Sequence, residues 1–305
     1  MTRILLATHG GPSAEGAARL AGLLVERLGA ELSVVAVLEP VPPIDYGFGV
    51  TPGSTPEEDE LVAREIRAEA RAQLAACGIE DYLPVPRTGV AATEIAAVAR
   101  AAGAALIVVG LGPHHALDRA LGGETALQLV QEASSPVLAV PNDASRLPRR
   151  VVAAVDFTAT SLRAARTAAR LLAAGDDLHL VHVRARNDPD AESPAAAGLD
   201  EEPQSARSPE ARLLALAGTL PLGRGVRTHT ALLDGAPAPA LLDYVARVHG
   251  EAIALGTHGY GLWKRLTIGS VSSKILRVAS SAVLVQPLGT LAAPASPAGV
   301  PLHLI

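Results

Sequence analysis

Short continuous apolar runs alternate along this chain with longer stretches of helical spacing. Ile4-Leu-Leu-Ala7, Val34-Val-Ala-Val-Leu38 and Leu106-Ile-Val-Val109 are runs of the first kind. Their length and β-branched content read as strands buried on both faces of a parallel sheet. Between them Ala and Leu recur three and four residues apart with charged residues opposite, the mark of amphipathic helices. The pattern predicts strands near 3–8, 32–38, 82–88, 105–110 and 137–140, with helices near 13–28, 57–77, 92–102 and 124–133. It then predicts strands near 151–156, 178–184, 226–232, 252–256 and 282–286, with helices near 160–174, 208–217, 237–248 and 270–279. Such alternation implies an α/β fold with parallel strands and right-handed crossovers.

The second series repeats the first. Gly110 and Gly256, Gly123 and Gly269, and Val137 and Val283 each stand 146 residues apart. Ser134-Ser-Pro-Val-Leu-Ala-Val-Pro141 parallels Ser280-Ser-Ala-Val-Leu-Val-Gln-Pro287. A period this long marks a duplicated domain, since solenoid units run to about 20–50 residues. The expected division is a domain over 1–141, a linker over 142–150, a second domain over 151–287 and a tail over 288–305. Each domain is expected to be doubly wound, a five-stranded parallel sheet of order 3-2-1-4-5 flanked by helices. Ligands of such sheets sit at the carboxyl ends of strands 1 and 4, where the strand order reverses. The last strands of the two halves are apolar edges that should not face water unpaired.

The chemistry concentrates at that reversal point in the second half. Gly256-Thr-His-Gly259, nine residues and then Gly269-Ser270 join a strand to a helix. Glycines let the backbone approach a phosphate closely, and a helix N-terminus favours negative charge. After Glu251 the chain contains no Asp or Glu, whereas Lys264, Arg265, Lys274 and Arg277 lie in or just past the motif. Glycine spacing alone is equally the signature of a tight βα turn.

Asp156 at the end of a first strand, the pattern G-x2-G-x9-G-[S/T] and a Val-rich last strand together resemble the universal stress protein family in a tandem form, over roughly residues 1 to 287. The resemblance implies an adenine-nucleotide site in the second half, with ATP as ligand. Asp156 would bind the adenosine moiety or hold Mg2+ through water; its other reading is a cap on the following helix. Val183 would sit beside the adenine and Val155 would help by backbone contact; the other reading of both is plain core. Gly256, His258, Gly259, Gly269, Ser270, Val271 and Ser272 would present backbone N–H groups and hydroxyls to ribose and phosphates. The first half departs from the pattern. Thr8 stands at the place of Asp156, Pro113 at that of Gly259 and Glu124 at that of Ser270. Proline lacks an N–H, and a glutamate at a helix N-terminus repels phosphate. One competent site is therefore expected, with the first half as scaffold; the alternative is that the first half binds some other ligand in an altered pocket. The resemblance also implies that the last strands of the two halves pair with each other, making the chain an internal pseudo-dimer.

Composition narrows the function classes. The net charge of −5, with no strongly basic segment, argues against general nucleic-acid binding. No apolar run approaches the roughly 18 residues of a membrane span, and no signal-peptide pattern opens the chain. Cys77, the single cysteine, cannot form an internal disulfide, which fits the reducing cytoplasm, and it reads as buried packing. The nine histidines show no zinc-like spacing, and no redox cofactor motif occurs. A P-loop lysine is absent before Ser270, and the motif supplies no catalytic base. The expectation is a regulatory ATP-binding protein with little or no hydrolysis. Two alternatives stand beside it: a slow adenine-nucleotide hydrolase or transferase, and an interaction scaffold that uses no nucleotide. Association into a homodimer and the identity of a protein partner are left open. Residues 39–56, rich in Pro and Gly, and 184–208, with Asn187-Asp-Pro-Asp and Asp200-Glu-Glu-Pro, read as mobile connectors that bury little apolar surface, a lid over the nucleotide being the alternative.

Overall fold

The computed structural model describes residues 2–39, 44–45, 50–51, 53–79, 82–111, 123–184, 208–257 and 269–288. The first half forms β1 (Arg3–Ala7), α1 (Glu15–Leu28), β2 (Glu31–Leu38), β3 (Ile44–Asp45), β4 (Val50–Thr51), α2 (Pro56–Ala76), β5 (Val85–Thr88), α3 (Ala91–Ala102), β6 (Leu106–Leu111), α4 (Gly123–Glu132) and β7 (Val137–Pro141). The second half forms β8 (Arg150–Ala154), α5 (Ala159–Leu171), β9 (Asp177–Arg184), α6 (Pro209–Thr219), β10 (Arg227–Asp234), α7 (Pro237–Arg247), β11 (Ala252–Gly256), α8 (Ser270–Val278) and β12 (Ala282–Gln286).

One ten-stranded sheet runs β10-β9-β8-β11-β12-β7-β6-β1-β2-β5. Counting only the strands of this sheet, the order within each half is 3-2-1-4-5, and every pairing of this sheet inside a half is parallel. The halves join where β12 runs antiparallel to β7, with Leu284 opposite Leu138. The two apolar last strands thus cover each other instead of facing water. A small apolar cavity of about 20 Å³ lies beside this seam, lined by Leu24, Leu138, Leu147, Ala168, Leu171 and Leu284 among others.

Strand periodicity assigns the core to two faces. Ile4 and Leu6 pack with Ala17, Leu20, Ala21 and Leu24 of α1. Leu5 and Ala7 turn the other way, toward Ile95 and Ala96 of α3 and Leu129 of α4. In the second half Val151 and Ala153 meet Ala164, Ala165 and Ala168 of α5, while Val152 and Ile253 meet Leu241 and Val245 of α7. The chain has two Phe and one Trp, so alanine-faced helices close on aliphatic strands at short range.

Local departures from the sequence reading have simple causes. α5 stops at Leu171 because Gly175 takes φ +87° and the Asp176 carboxylate accepts the Ala173 N–H at 2.8 Å, a turn read in sequence as helix. Part of the first connector is ordered, since β3 and β4 pair antiparallel. The second connector, from 185 to 207, lies outside the described residues, as do His114, His115 and the tail from 289. Cys77 is half-buried at the C-cap of α2, and burial pushes its thiol pKa up. Among the described residues no helix is long and apolar enough to cross a membrane.

Candidate functional site

β8 pairs with β9 on one side and β11 on the other, so the chain leaves its carboxyl end at the point where the strand order reverses. β8 ends at Ala154, and Asp156 lies two residues beyond it. The Asp156 carboxylate Oδ1 accepts the Thr158 N–H at 3.0 Å and the Thr158 hydroxyl at 2.6 Å. Because that hydroxyl donates its proton to Asp156, its lone pair is free to accept the Ser161 N–H at 3.3 Å, and Thr158 is the N-cap of α5. Asp156 therefore orients the capping residue; it does not itself cap the helix. Removing the hydroxyl in Thr158→Ala is expected to cost about 1 kcal/mol, read as a lower thermal midpoint that Thr158→Ser restores.

Phe157 links these two residues with φ +62°, an uncommon conformation for a bulky side chain. Its ring is held by tertiary contacts, 4.9 Å between centroids from His182 and 3.7 Å beneath the Arg212 guanidinium of α6. His182 Nδ1 lies 2.7 Å from the Val155 carbonyl, which can only accept, so the proton sits on Nδ1. Val155 is 2% exposed. Val183 is half-buried at the end of β9, one strand further out, and packs on the α7 side of the sheet.

Gly256 ends β11 against the first turn of α5. A Cβ there would stand 2.6 Å from Ser161 N and from Thr160 Oγ1, so the approach itself demands glycine. Beyond it, the Gly269 N–H donates to the Thr257 carbonyl at 2.5 Å, and the Ser272 hydroxyl donates to the Gly256 carbonyl at 2.6 Å. Ser272 is 2% exposed, and its hydroxyl ties α8 to β11 instead of facing outward. Ser270 is exposed and Val271 half-buried. The N–H groups of Ser270, Val271 and Ser272 precede the first intrahelical bond, from Ser273 N–H to the Gly269 carbonyl. Among the described residues no side chain caps this end, and no acidic residue lies in the first turn.

A chain of contacts thus runs from Asp156 through Thr158 and Ser161 to Gly256 and on to Ser272. His258, Gly259 and Lys264 lie outside the described residues. Thr158, Thr160, Ser161, Phe157 and Arg212 were not singled out in sequence. For the first, the spacing Thr158-x-x-Ser161 after Asp156 was an available N-cap signal. Arg212 had none, because its contact spans 55 residues of chain.

The first half is built differently at the same place. Thr8 is 5% exposed, its hydroxyl donating to Gln73 Oε1 of α2 at 2.6 Å and accepting the Gly10 N–H at 3.1 Å. Gln73 Nε2 donates to the Gly11 carbonyl at 2.8 Å. A Cβ on Gly10 would lie 2.5 Å from Ala70 N, so α2 closes directly onto the loop after β1. Pro113 lies outside the described residues, as does the side chain of Glu124. Among the described residues no three His, Cys, Asp or Glu gather as metal ligands.

The universal stress protein family profile matches residues 1–141 and again 148–287. A universal stress protein of Mycolicibacterium smegmatis is 27% identical over 295 residues, covering 92% of this chain and 96% of that one. A solved universal stress protein from Archaeoglobus fulgidus superposes with a TM-score of 0.67 at 20% identity, covering 94% of this chain and 98% of its own. A functionally unknown protein from Pseudomonas aeruginosa does so with a TM-score of 0.56 at 16% identity, over 94% and 92%. At these identities the two superpositions speak for the fold alone. The duplicated profile match, one copy in each half, makes this chain a member of the universal stress protein family.

Proposed function

We propose that this protein binds ATP or a related adenine nucleotide at the carboxyl edge between β8 and β11, and that binding is its regulatory signal. The observation that carries this reading is the start of α8. No side chain of the described residues caps it, its first turn is free of acidic residues, glycine precedes it, and it lies in a stretch with no Asp or Glu after Glu251. Such an end attracts phosphate through its dipole and its leading N–H groups. Asp156 and Val183 then line the adenosine end, and His258 and Gly259 complete the motif in sequence. The first half, with Thr8 sealed against Gln73, serves as scaffold. The functional division follows, with a scaffold domain over 1–141, a nucleotide domain over 151–287 and a linker between them.

Binding without rapid turnover is the form this takes. The stretch from Gly256 to Ser272 contains no acidic residue, and the Asp156 carboxylate is engaged with Thr158. The motif itself therefore supplies no base to activate water. Mg2+ would reach the site on the nucleotide, held by Asp156 through water.

A thermal-shift titration tests the reading. ATP at about 100 times its dissociation constant should add about 2.7 kcal/mol to stability. Ser270→Glu, which copies Glu124 into the second half, should abolish the shift while leaving the unliganded melting temperature in place, since an acid at this exposed helix start suits the dipole. An unliganded-like melt of the wild-type protein in ATP would sink the proposal. An undiminished shift in Ser270→Glu would move the ligand elsewhere.

A further inference from the structure

At the amino ends of β9 and β10, opposite the candidate site, His179 and His229 are register partners on adjacent strands, as are Asp177 and Arg227. The imidazoles stack with centroids 4.5 Å apart and planes 20° from parallel. His179 is 7% exposed, its Nδ1 lies 3.0 Å from the Tyr244 hydroxyl of α7, and the Tyr244 ring meets it edge-on. His229 Nε2 lies 3.0 Å from Asp177 Oδ1, and Arg227 binds the same carboxylate through Nε and Nη2 at 2.8 and 2.9 Å. Arg150 of β8 approaches Asp177 at 3.6 Å, and the Arg247 guanidinium of α7 lies 5.0 Å over Tyr244.

We infer that the His179–His229 stack is an acid-operated latch that holds α7 against the outer edge of the second half at neutral pH and releases it in acid. The charge placement gives the reason. His229 faces the Asp177 carboxylate. A proton on His179 would lie buried under α7 and face-to-face with the His229 ring, with Arg150 as a positive neighbour. Burial, and then the His229 charge, hold the His179 pKa down at about 4 against an ordinary 6.5. The sign follows by linkage. A depressed pKa contributes stability that is fully present above pH 6.5 and is lost as pH falls from there toward 4. The His179 proton is taken up where the ring reaches water, which requires α7 to lift. Asp177 does not contribute to this window, because the Arg227 hydrogen bonds hold its carboxyl far below the usual carboxylate range.

The helix that the latch holds, α7, also packs on α8 and leads into β11, which ends at the candidate site. The latch belongs to the second half alone. Arg3 pairs with Glu31 as Arg150 pairs with Asp177, which puts Ser33 of β2 at the position of His179. The first half is therefore an internal control.

Hydrogen exchange across a pH series tests the latch, with rates corrected for the intrinsic pH dependence of exchange. Between pH 7.5 and 4.5, protection in 227–247 should fall by up to about 10²-fold, while that in 85–102 stays within a few-fold. His179→Asn keeps an amide at the Nδ1 position and does not titrate, so its protection in 227–247 should be flat over the same range. Equal corrected protection of the wild type at both pH values, or an unchanged acid response in His179→Asn, would overturn the inference. The wild type also decides the matter by itself. Nuclear magnetic resonance of the imidazole protons should show His179 titrating below pH 5, and titration at pH 6 or above removes the latch.

Discussion

Gly256→Ala is expected to destabilise the protein by about 2–3 kcal/mol, although it adds a single methyl group to a half-buried position. The methyl would meet Ser161 N and Thr160 Oγ1 at 2.6 Å and Thr160 C at 2.9 Å. Two of these atoms are backbone atoms of the first turn of α5, so a side-chain rotation cannot relieve the contact. The turn must move as a unit, and it is the same turn that Thr158 caps and Asp156 orients. The Ser272 bond to the Gly256 carbonyl couples the displacement to α8. Chemical denaturation measures the cost, with Ser270→Ala at an exposed position as a control expected to stay within about 0.5 kcal/mol of wild type. A loss below about 0.5 kcal/mol for Gly256→Ala would mean that α5 is more loosely seated than described. The same contact explains why Gly110 remains glycine in the first half. A Cβ there would lie 2.5 Å from the Ser13 carbonyl oxygen. Packing demands this glycine in both copies, whatever either copy binds.

Leu284→Ala should cost about 3–4 kcal/mol and divide the unfolding transition. Leu284 is 2% exposed, and Leu138, its partner across the seam, is 3% exposed. Both line the small cavity beside β7 and β12, so truncation enlarges an existing void in place of filling one. The β7–β12 ladder is the only strand pairing between the halves among the described residues, and weakening it lowers their cooperativity. Urea unfolding followed by fluorescence and circular dichroism should give transitions that no longer coincide. A single coincident transition shifted by less than about 1 kcal/mol would show that the halves are held together mainly by their helices. Leu138→Ala is expected to act on the same void, so the double variant should fall short of the sum of the two.

The two kinds of information divide cleanly when particular residues are followed. Every long strand and helix was legible, because parallel strands buried on both faces appear as uninterrupted apolar runs, such as Leu106-Ile-Val-Val109. The duplication was legible because two copies with the same packing retain the same small residues at the same spacing. The candidate site was legible as a motif and a place: Asp156 after the first strand, and Gly256 to Ser270 after the fourth.

What individual groups do at that place was not legible. Asp156 and Thr158 share a proton-ordered cap, the Gly269 N–H and the Ser272 hydroxyl are engaged internally, and Thr8 is sealed by Gln73 from 65 residues away. The His179–His229 stack was invisible for the same reason, since its members stand 50 residues apart and meet only through strand register. Sequence alone determined the periodic and local features, the elements, their order and the duplicated frame, because these depend on spacing along one chain. The tertiary structure alone decided which polar groups are already satisfied and which charges face one another, because hydrogen bonding and electrostatics act at distances of a few ångströms between segments far apart in the chain.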